Sequence, residues 1–264
     1  MLDLKNVSKT FYPGTVNEKK ALVHFSLHLD PGEFVTIIGS NGAGKSTLFN
    51  AIAGVWLTDE GKITLDGQDV TFQSETKRAK MIGRIFQDPM KGTSPSLTIE
   101  ENLAIAYSSG RRGVFRQAIS KRDAEFFRET LRKLDMGLED RMKVKIGTLS
   151  GGQRQAVTLL MATLVTPKIL LLDEHTAALD PLTAEKVLGI TKEIVESRKI
   201  TTLMITHNIA SALELGNRTL LLDNGEVALD LKGEERDSLD VEGLLHLYRK
   251  QKGQELDNDR ILLS

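Results

Sequence analysis

Gly39-Ser40-Asn41-Gly42-Ala43-Gly44-Lys45-Ser46-Thr47 stands between a short apolar run, Glu33 to Ile38, and a segment in which Leu48, Phe49 and Ile52 recur at helical spacing ahead of Gly54. The preceding run is rich in Val, Thr and Ile, as a buried strand requires, and Gly54 falls where a helix C-terminal cap is expected. The unit therefore reads strand, glycine loop, helix, and the loop fits G-x-x-x-x-G-K-[ST]. Its glycines let successive backbone N–H groups turn inward with no Cβ in the way, and the helix N-terminus adds partial positive charge at the same point. Such a concavity suits phosphate groups. Lys45 then brings a point charge to the β- and γ-phosphate oxygens, Ser46 offers a hydroxyl to Mg²⁺, and Thr47 is a further phosphate donor.

A second buried run, Ile169-Leu170-Leu171-Leu172, rises to Asp173-Glu174. A buried strand has no structural use for adjacent unpaired carboxylates at its tip, so a cation is expected beside them. Asp173 is the candidate for holding Mg²⁺ through water, and Glu174 is the candidate general base for an attacking water.

Around these two units, strands and helices alternate. Ala21 to Leu29 has the period of a strand with one wet face, on which His24 and His28 lie; Lys62 to Val70 suits a hairpin turning at Asp66-Gly67. The stretch from about Thr98 to Leu164 is mostly helical in pattern, and Thr98-Ile99-Glu100-Glu101 has the form of a capping box that starts a helix. Asp180-Pro181 opens another helix, with Val187, Ile190, Ile194 and Val195 on one face; Thr202 to Thr206 and Thr219 to Leu222 read as buried strands of a parallel sheet. Beyond about Asp230 the pattern loosens to one amphipathic helix near Val241 to Tyr248 and a polar stretch from Gln251 to Arg260. The fold class expected is α/β: a P-loop NTPase (RecA-like) core with an antiparallel β subdomain and an inserted α-helical subdomain. The domain limits expected are 1–230 for the ATPase unit (core 1–88 and 165–230, insert about 89–164) and 231–264 for a tail.

Composition narrows the function. With 264 residues, 40% hydrophobic and 27% charged, the chain is long enough to bury a sizeable core and too apolar to be disordered. A net charge of −1 argues against a surface built to grip nucleic-acid backbones, and the absence of cysteine excludes disulfides, zinc–thiolate sites and thiol nucleophiles. The longest apolar runs fall far short of the roughly 18 to 20 residues of a membrane span. Met1 to Asn6 lacks the basic start and long apolar centre of a secretory signal.

Together with Leu149-Ser150-Gly151-Gly152-Gln153, placed after the helical stretch and before Asp173, these motifs resemble the ATP-hydrolysing subunit of ATP-binding-cassette (ABC) transporters over nearly everything before residue 230. The resemblance implies ATP and Mg²⁺ as cofactors; no guanine-recognising Asn-Lys-x-Asp is present. It implies a head-to-tail homodimer in which Ser150, Gly151, Gly152 and Gln153 of one copy close over the nucleotide held by Lys45 of the other. It makes Gln87 a hinge that touches Mg²⁺ or water, and His207 a switch that hydrogen-bonds the γ-phosphate. It puts Asp180 in a loop crossing the dimer seam, where it is also a helix N-cap, and gives Phe11, in preference to Tyr12, the adenine to stack on. Lys45, Gln87, Glu174 and His207 are the catalytic candidates; Ser46, Gln87 and Asp173 are the metal candidates.

The sequence also departs from the family. His175 stands where many relatives carry Pro and reads as a polar loop residue, and Ala156 to Leu164 is more apolar than the basic form common in the family. The implied partners are a second copy, membrane-spanning permease subunits at the cytoplasmic face, and an extracytoplasmic solute-binding protein, with no direct nucleic-acid contact. The cluster Arg111, Arg112, Arg116, Lys121 and Arg122 reads as a solvated helix face. The single-cassette layout with a short insert looks like an importer, and the Asp173 to Asp180 segment resembles subunits of aromatic amino-acid uptake systems. An exporter subunit, or a non-transport ABC ATPase acting on nucleic acid or the ribosome, stays open as an alternative.

Overall fold

The computed structural model describes residues 1–109 and 119–252. An antiparallel sheet in the order β2-β1-β4-β5 is formed by β1 (Leu2–Phe11), β2 (Lys19–Leu29), β4 (Glu60–Leu65) and β5 (Gln68–Asp69). A second sheet, in the order β10-β9-β3-β8-β7-β6, contains β3 (Phe34–Gly39), β6 (Ile82–Ile85), β7 (Ile169–Asp173), β8 (Thr202–Ile205), β9 (Arg218–Asp223) and β10 (Glu226–Lys232). All its neighbouring pairs are parallel except β9 with β10.

Helix α1 (Lys45–Ala53) joins the two sheets: Leu48, Phe49 and Ile52 pack in one core with Leu4, Phe25 and Ile63 on one side and Ile37, Leu171 and Leu203 on the other. The far face of the second sheet is covered by α3 (Ile99–Ser109), α4 (Lys121–Arg132), α5 (Gly151–Thr163) and α6 (Pro181–Arg198), whose Leu103, Phe127, Val157 and Val195 meet Leu170, Leu172 and Met204. Phe49 and Phe127 are fully buried, and truncating either to Ala is expected to cost about 3 to 5 kcal/mol. Short helices α2 (Glu75–Arg78) and α8 (Glu234–Asp237) complete the chain, with α7 (Ile209–Glu214) and α9 (Val241–Lys252).

Several expectations take definite form. Thr98 and Glu101 make the reciprocal bonds of a capping box, Glu101 N–H to Thr98 Oγ1 at 3.3 Å and Thr98 N–H to Glu101 Oε2 at 2.7 Å. Asp66 and Gly67 both take positive φ, 51° and 78°, as a two-residue hairpin between β4 and β5 demands. His24 and His28 are exposed, but the alternation of β2 breaks at His24, whose φ is 43°: a register shift against β1 lies between Val7 and Lys9, so Leu22 and Phe25 both face the core. β9 is parallel to β3 on one side only, because β10 returns antiparallel through an Asn224-Gly225 turn with φ of 48° and 82°. β10 runs through residue 230, and Leu244 and Tyr248 of α9 pack with Ile38 and Leu221, so the segment after 230 is built onto the sheet. The apolar stretch from Ala156 is buried: Ala156, Val157, Leu159 and Leu160 lie in the core. Arg111, Arg112 and Arg116 lie outside the described residues, as does the polar stretch from residue 253 onward.

Candidate active site

Parallel pairing in the order β3-β8-β7-β6 brings four strand ends to one edge, and each delivers a candidate residue. Ile37 pairs with Ile205 and Ile205 with Asp173, while Ile85 pairs with Leu172, so the glycine loop, His207, Asp173-Glu174 and Gln87 all follow directly from adjacent strand ends.

The loop begins at Gly39, the last residue of β3, and passes through Ser40, Asn41, Gly42 and Ala43 to Gly44, which precedes α1 with φ of 104°. A Cβ at Gly44 would stand 2.4 Å from the Ala21 carbonyl oxygen, which forbids any other residue there. The first intrahelical bond runs from Leu48 N–H to Gly44 C=O at 2.8 Å, leaving the N–H groups of Lys45, Ser46 and Thr47 without an intrahelical acceptor. Lys45 is buried and its ammonium donates to the Gly39 and Ser40 carbonyls at 2.6 and 3.1 Å. Burial pushes its pKa down, opposed by the nearby Glu174 and Asp173 carboxylates. Ser46 is exposed and Thr47 half-buried on the first turn.

Asp173 ends β7. Burial raises its pKa, and Arg84 Nη2, 3.9 Å away, opposes the rise. A half-desolvated carboxylate with so distant a partner, alongside a free Ser46 hydroxyl, suits a hard cation such as Mg²⁺ that takes its other ligands from phosphate and water. Among the described residues no cluster of three or more His, Cys, Asp or Glu forms a metal site independent of a nucleotide. Glu174 takes a φ of 46°, a strained conformation for a residue with a Cβ. Its N–H bonds the Ile205 carbonyl at 3.0 Å, and its Oε1 stands 2.6 Å from His207 Nε2. Both side chains open into a cleft of about 1010 Å³ between α6 and α7. Gln87 is exposed two residues past β6.

Ser150 lies apart from the glycine loop, at the N-cap of α5, where its Oγ accepts from Gln153 N–H and its own N–H donates to Gln153 Oε1, both at 3.3 Å. Gly151 and Gly152 pack toward α6: a Cβ on Gly152 would meet Thr183 Cγ2 at 2.0 Å. Asp180 caps α6 by accepting from Thr183 N–H at 3.0 Å, and hydrogen bonding from the Thr183 side chain, with that of its N–H, holds the Asp180 pKa below the usual range. Phe11 is half-buried at the end of β1, edge-on to Trp56 with ring centroids 4.8 Å apart, while Tyr12 is exposed.

The sequence of this chain matches the ABC transporter family over residues 22–177. It is 43% identical to a tyrosine transport ATP-binding protein of Clostridioides difficile across 94% of this chain and 98% of the relative. It is 35% identical to a xylose/arabinose import ATP-binding protein of Sulfolobus acidocaldarius, covering 89% of each. The chain belongs to the ABC transporter family. Its fold superposes with a TM-score of 0.74, at 33% identity over 88% of this chain and 98% of the other, on an ATP-binding cassette solved as a dimer in a post-hydrolysis state with ADP and phosphate. This ABC cassette is thus a nucleotide-binding ATPase subunit of the transport type, and its relatives support the importer reading over the exporter and nucleic-acid alternatives.

Three residues of the cassette's site escaped the sequence reading, and a fourth, His175, was misread. Arg84, a charge inside the apolar strand Ile82–Ile85, bonds Asn50 Oδ1 of α1 at 2.8 Å, stacks on Phe86 and faces Asp173; a lone arginine in a buried strand was the signal. Gly225 donates to the Ala43 carbonyl at 2.9 Å, so the β9–β10 turn braces the glycine loop, and Asn-Gly between apolar runs was its signal. Trp56 reaches Phe11 from beyond α1, with no local signal. His175 is a correction: it is buried, not a polar loop residue, with its Nε2 3.1 Å from Thr191 Oγ1.

Proposed function

We propose that this cassette hydrolyses ATP at the four-strand edge to drive uptake of an amino acid of the aromatic class through membrane-spanning permease subunits. The observation that carries the hydrolytic part is the Glu174–His207 contact at 2.6 Å beside the Lys45 loop. On ATP binding, the Lys45 ammonium leaves the Gly39 and Ser40 carbonyls for β- and γ-phosphate oxygens. The N–H groups of the glycine loop hold the phosphates, with Ser40, Asn41, Gly42 and Ala43 around them. Water attacks the γ-phosphorus, Glu174 takes its proton, and the bond to the β-phosphate oxygen breaks to release ADP and phosphate. His207 orients Glu174 and reaches the γ-phosphate. Ser46 and Asp173, with Gln87, would hold Mg²⁺, which when bound neutralises charge developing on the phosphate oxygens. Phe11 carries the adenine, and Ser150, Gly151, Gly152 and Gln153 of a second copy, with Asp180 at the seam, close the site.

The import part draws on the relatives' names and on a groove. Between β6 and the α3–α5 layer lies a cavity of about 400 Å³ whose walls include Phe86, Ile105, Met161 and Val165. Ile105 and Val165 are exposed apolar residues there, so we place the permease on this side. Among the described residues no helix is long and apolar enough to cross a membrane; the cassette sits at the cytoplasmic face through its permease, and an extracytoplasmic binding protein delivers the solute. The test is Glu174→Gln: turnover is expected to fall about 10² to 10⁴-fold with ATP affinity kept. For cargo, ATP-dependent uptake of labelled tyrosine, tryptophan and leucine is compared in vesicles carrying the reconstituted transporter. Leucine uptake without tyrosine or tryptophan uptake removes the aromatic assignment.

A further inference from the structure

Alone of the five histidines, His175 is buried, 2% exposed, and it directly follows Glu174. The hydrogen bonds around it fix its chemistry. Thr191 of α6 has one hydroxyl proton, and it goes to the Val187 carbonyl at 2.8 Å. In the 3.1 Å contact with Thr191 Oγ1 the ring must therefore donate from Nε2, which leaves Nδ1 a bare acceptor, buried and without a partner. An unpartnered buried acceptor is costly, and the fold carries this cost next to a Glu174 held at a φ of 46°. Strained backbone of this kind persists only where its surroundings over-determine it. The anchors are Glu174 N–H on Ile205, Ala177 N–H on the Glu174 carbonyl at 3.0 Å, and the His175 ring on the middle of α6.

We propose that His175 is a positioning residue: its Nε2–H pins the strained turn to Thr191 of α6, and thereby holds the Glu174 carboxylate on His207 and the Ala178–Asp180 loop at the seam. The proposal rests on Glu174 being the base. It identifies α6 as the element whose displacement moves the base, because the pin and the Asp180 cap both sit on that helix.

Steady-state ATPase kinetics on the full chain test it, with wild type beside His175→Phe, Thr191→Val, Thr191→Ser and the His175→Phe/Thr191→Val double variant. Phe and Val keep the volume and delete the pin from opposite ends; Ser restores the acceptor. Each single deletion is expected to lower kcat about 10- to 100-fold with KM for ATP within about twofold, Thr191→Ser to recover most of the rate, and the double variant to be no slower than the slower single. Wild-type turnover in Thr191→Val or His175→Phe, additive losses in the double variant, or loss of the folded state in both singles would each overturn it, the last by reducing the ring to a packing role. Glu174→Gln run in parallel separates the two readings. If it turns over normally, the base assignment fails; if it is inactive while the pin variants are normal, only the pin fails.

Discussion

At Gly44 a φ of 104° and the Ala21 carbonyl oxygen, 2.4 Å from where a Cβ would stand, act together on one residue. The left-handed conformation alone costs a residue with a Cβ about 1 to 2 kcal/mol, and the backbone contact adds to it because the Ala21 carbonyl is fixed in strand β2 and Gly44 is fixed at the start of α1. Gly44→Ala is expected to lower unfolding stability by at least about 2 kcal/mol and to abolish ATP binding, read by denaturant melts and nucleotide titration. His175 yields a pH prediction. Burial pushes its pKa from the ordinary 6.5 down to about 4. Between those values the unfolded chain binds a proton that the folded chain refuses, so this group's contribution is full above about pH 6.5 and is lost as pH falls toward 4. The loss is bounded at about 3 kcal/mol. His28 runs the other way: hydrogen bonds to Asp3 and Asp30 raise its pKa, so it stabilises at low pH and fades as pH rises through its folded value. Subtracting the unfolding free energy of nucleotide-free His175→Gln from that of the wild type cancels His28. The difference should fall on acidification; a flat difference between pH 7 and 4.5 contradicts the burial.

Helix α7 follows His207 directly, with Asn208 as N-cap, and its other end is held from far along the chain. The buried Arg236 guanidinium donates to the Ala212, Leu213 and Leu215 carbonyls and to Thr219 Oγ1 at 2.8 to 3.1 Å. Arg236→Met keeps the stem but strands these carbonyls, and is expected to cost about 3 kcal/mol, with amide exchange rising first in α7. Global unfolding without preferential loss at residues 209–214 would contradict a local clasp. This element also marks what sequence could convey. The glycine loop, the Thr98 box and the Asp66-Gly67 turn were legible because their partners lie within a few residues. Arg236 acts over 17 to 24 residues and His175 over 16, so a polar residue in a loosely patterned stretch gave no hint that it becomes buried. The candidate residues at the four strand ends were legible singly; their convergence depended on the order β3-β8-β7-β6, which pairs Ile37 with Ile205, Ile205 with Asp173 and Leu172 with Ile85, all far apart in the chain.

On the scale of the whole molecule, Lys45 and Ser150 stand on different layers, and Ser150 and Gly152 contact α5 and α6 instead of the glycine loop. A hydrolytic site using both must take them from two chains, as the dimeric cassette with 33% identity allows. Two-fold symmetry then gives each dimer two sites, each pairing one chain's loop with the other's serine. Lys45→Ala disables the loop, and Ser150→Arg fills the serine end with a cation, so each homodimer has two broken sites. In a heterodimer of the two variants both defects fall on the same site, and the second site is built from an intact loop and an intact serine. Mixing equal amounts of the two inactive proteins should therefore restore ATP turnover to about a quarter of wild type, since half the dimers are mixed and each has one working site of two. A site complete within one chain predicts no recovery at any mixing ratio. Titrating Lys45→Ala into a fixed amount of Ser150→Arg separates the outcomes, because restored activity must depend on the product of the two concentrations and vanish when either is absent.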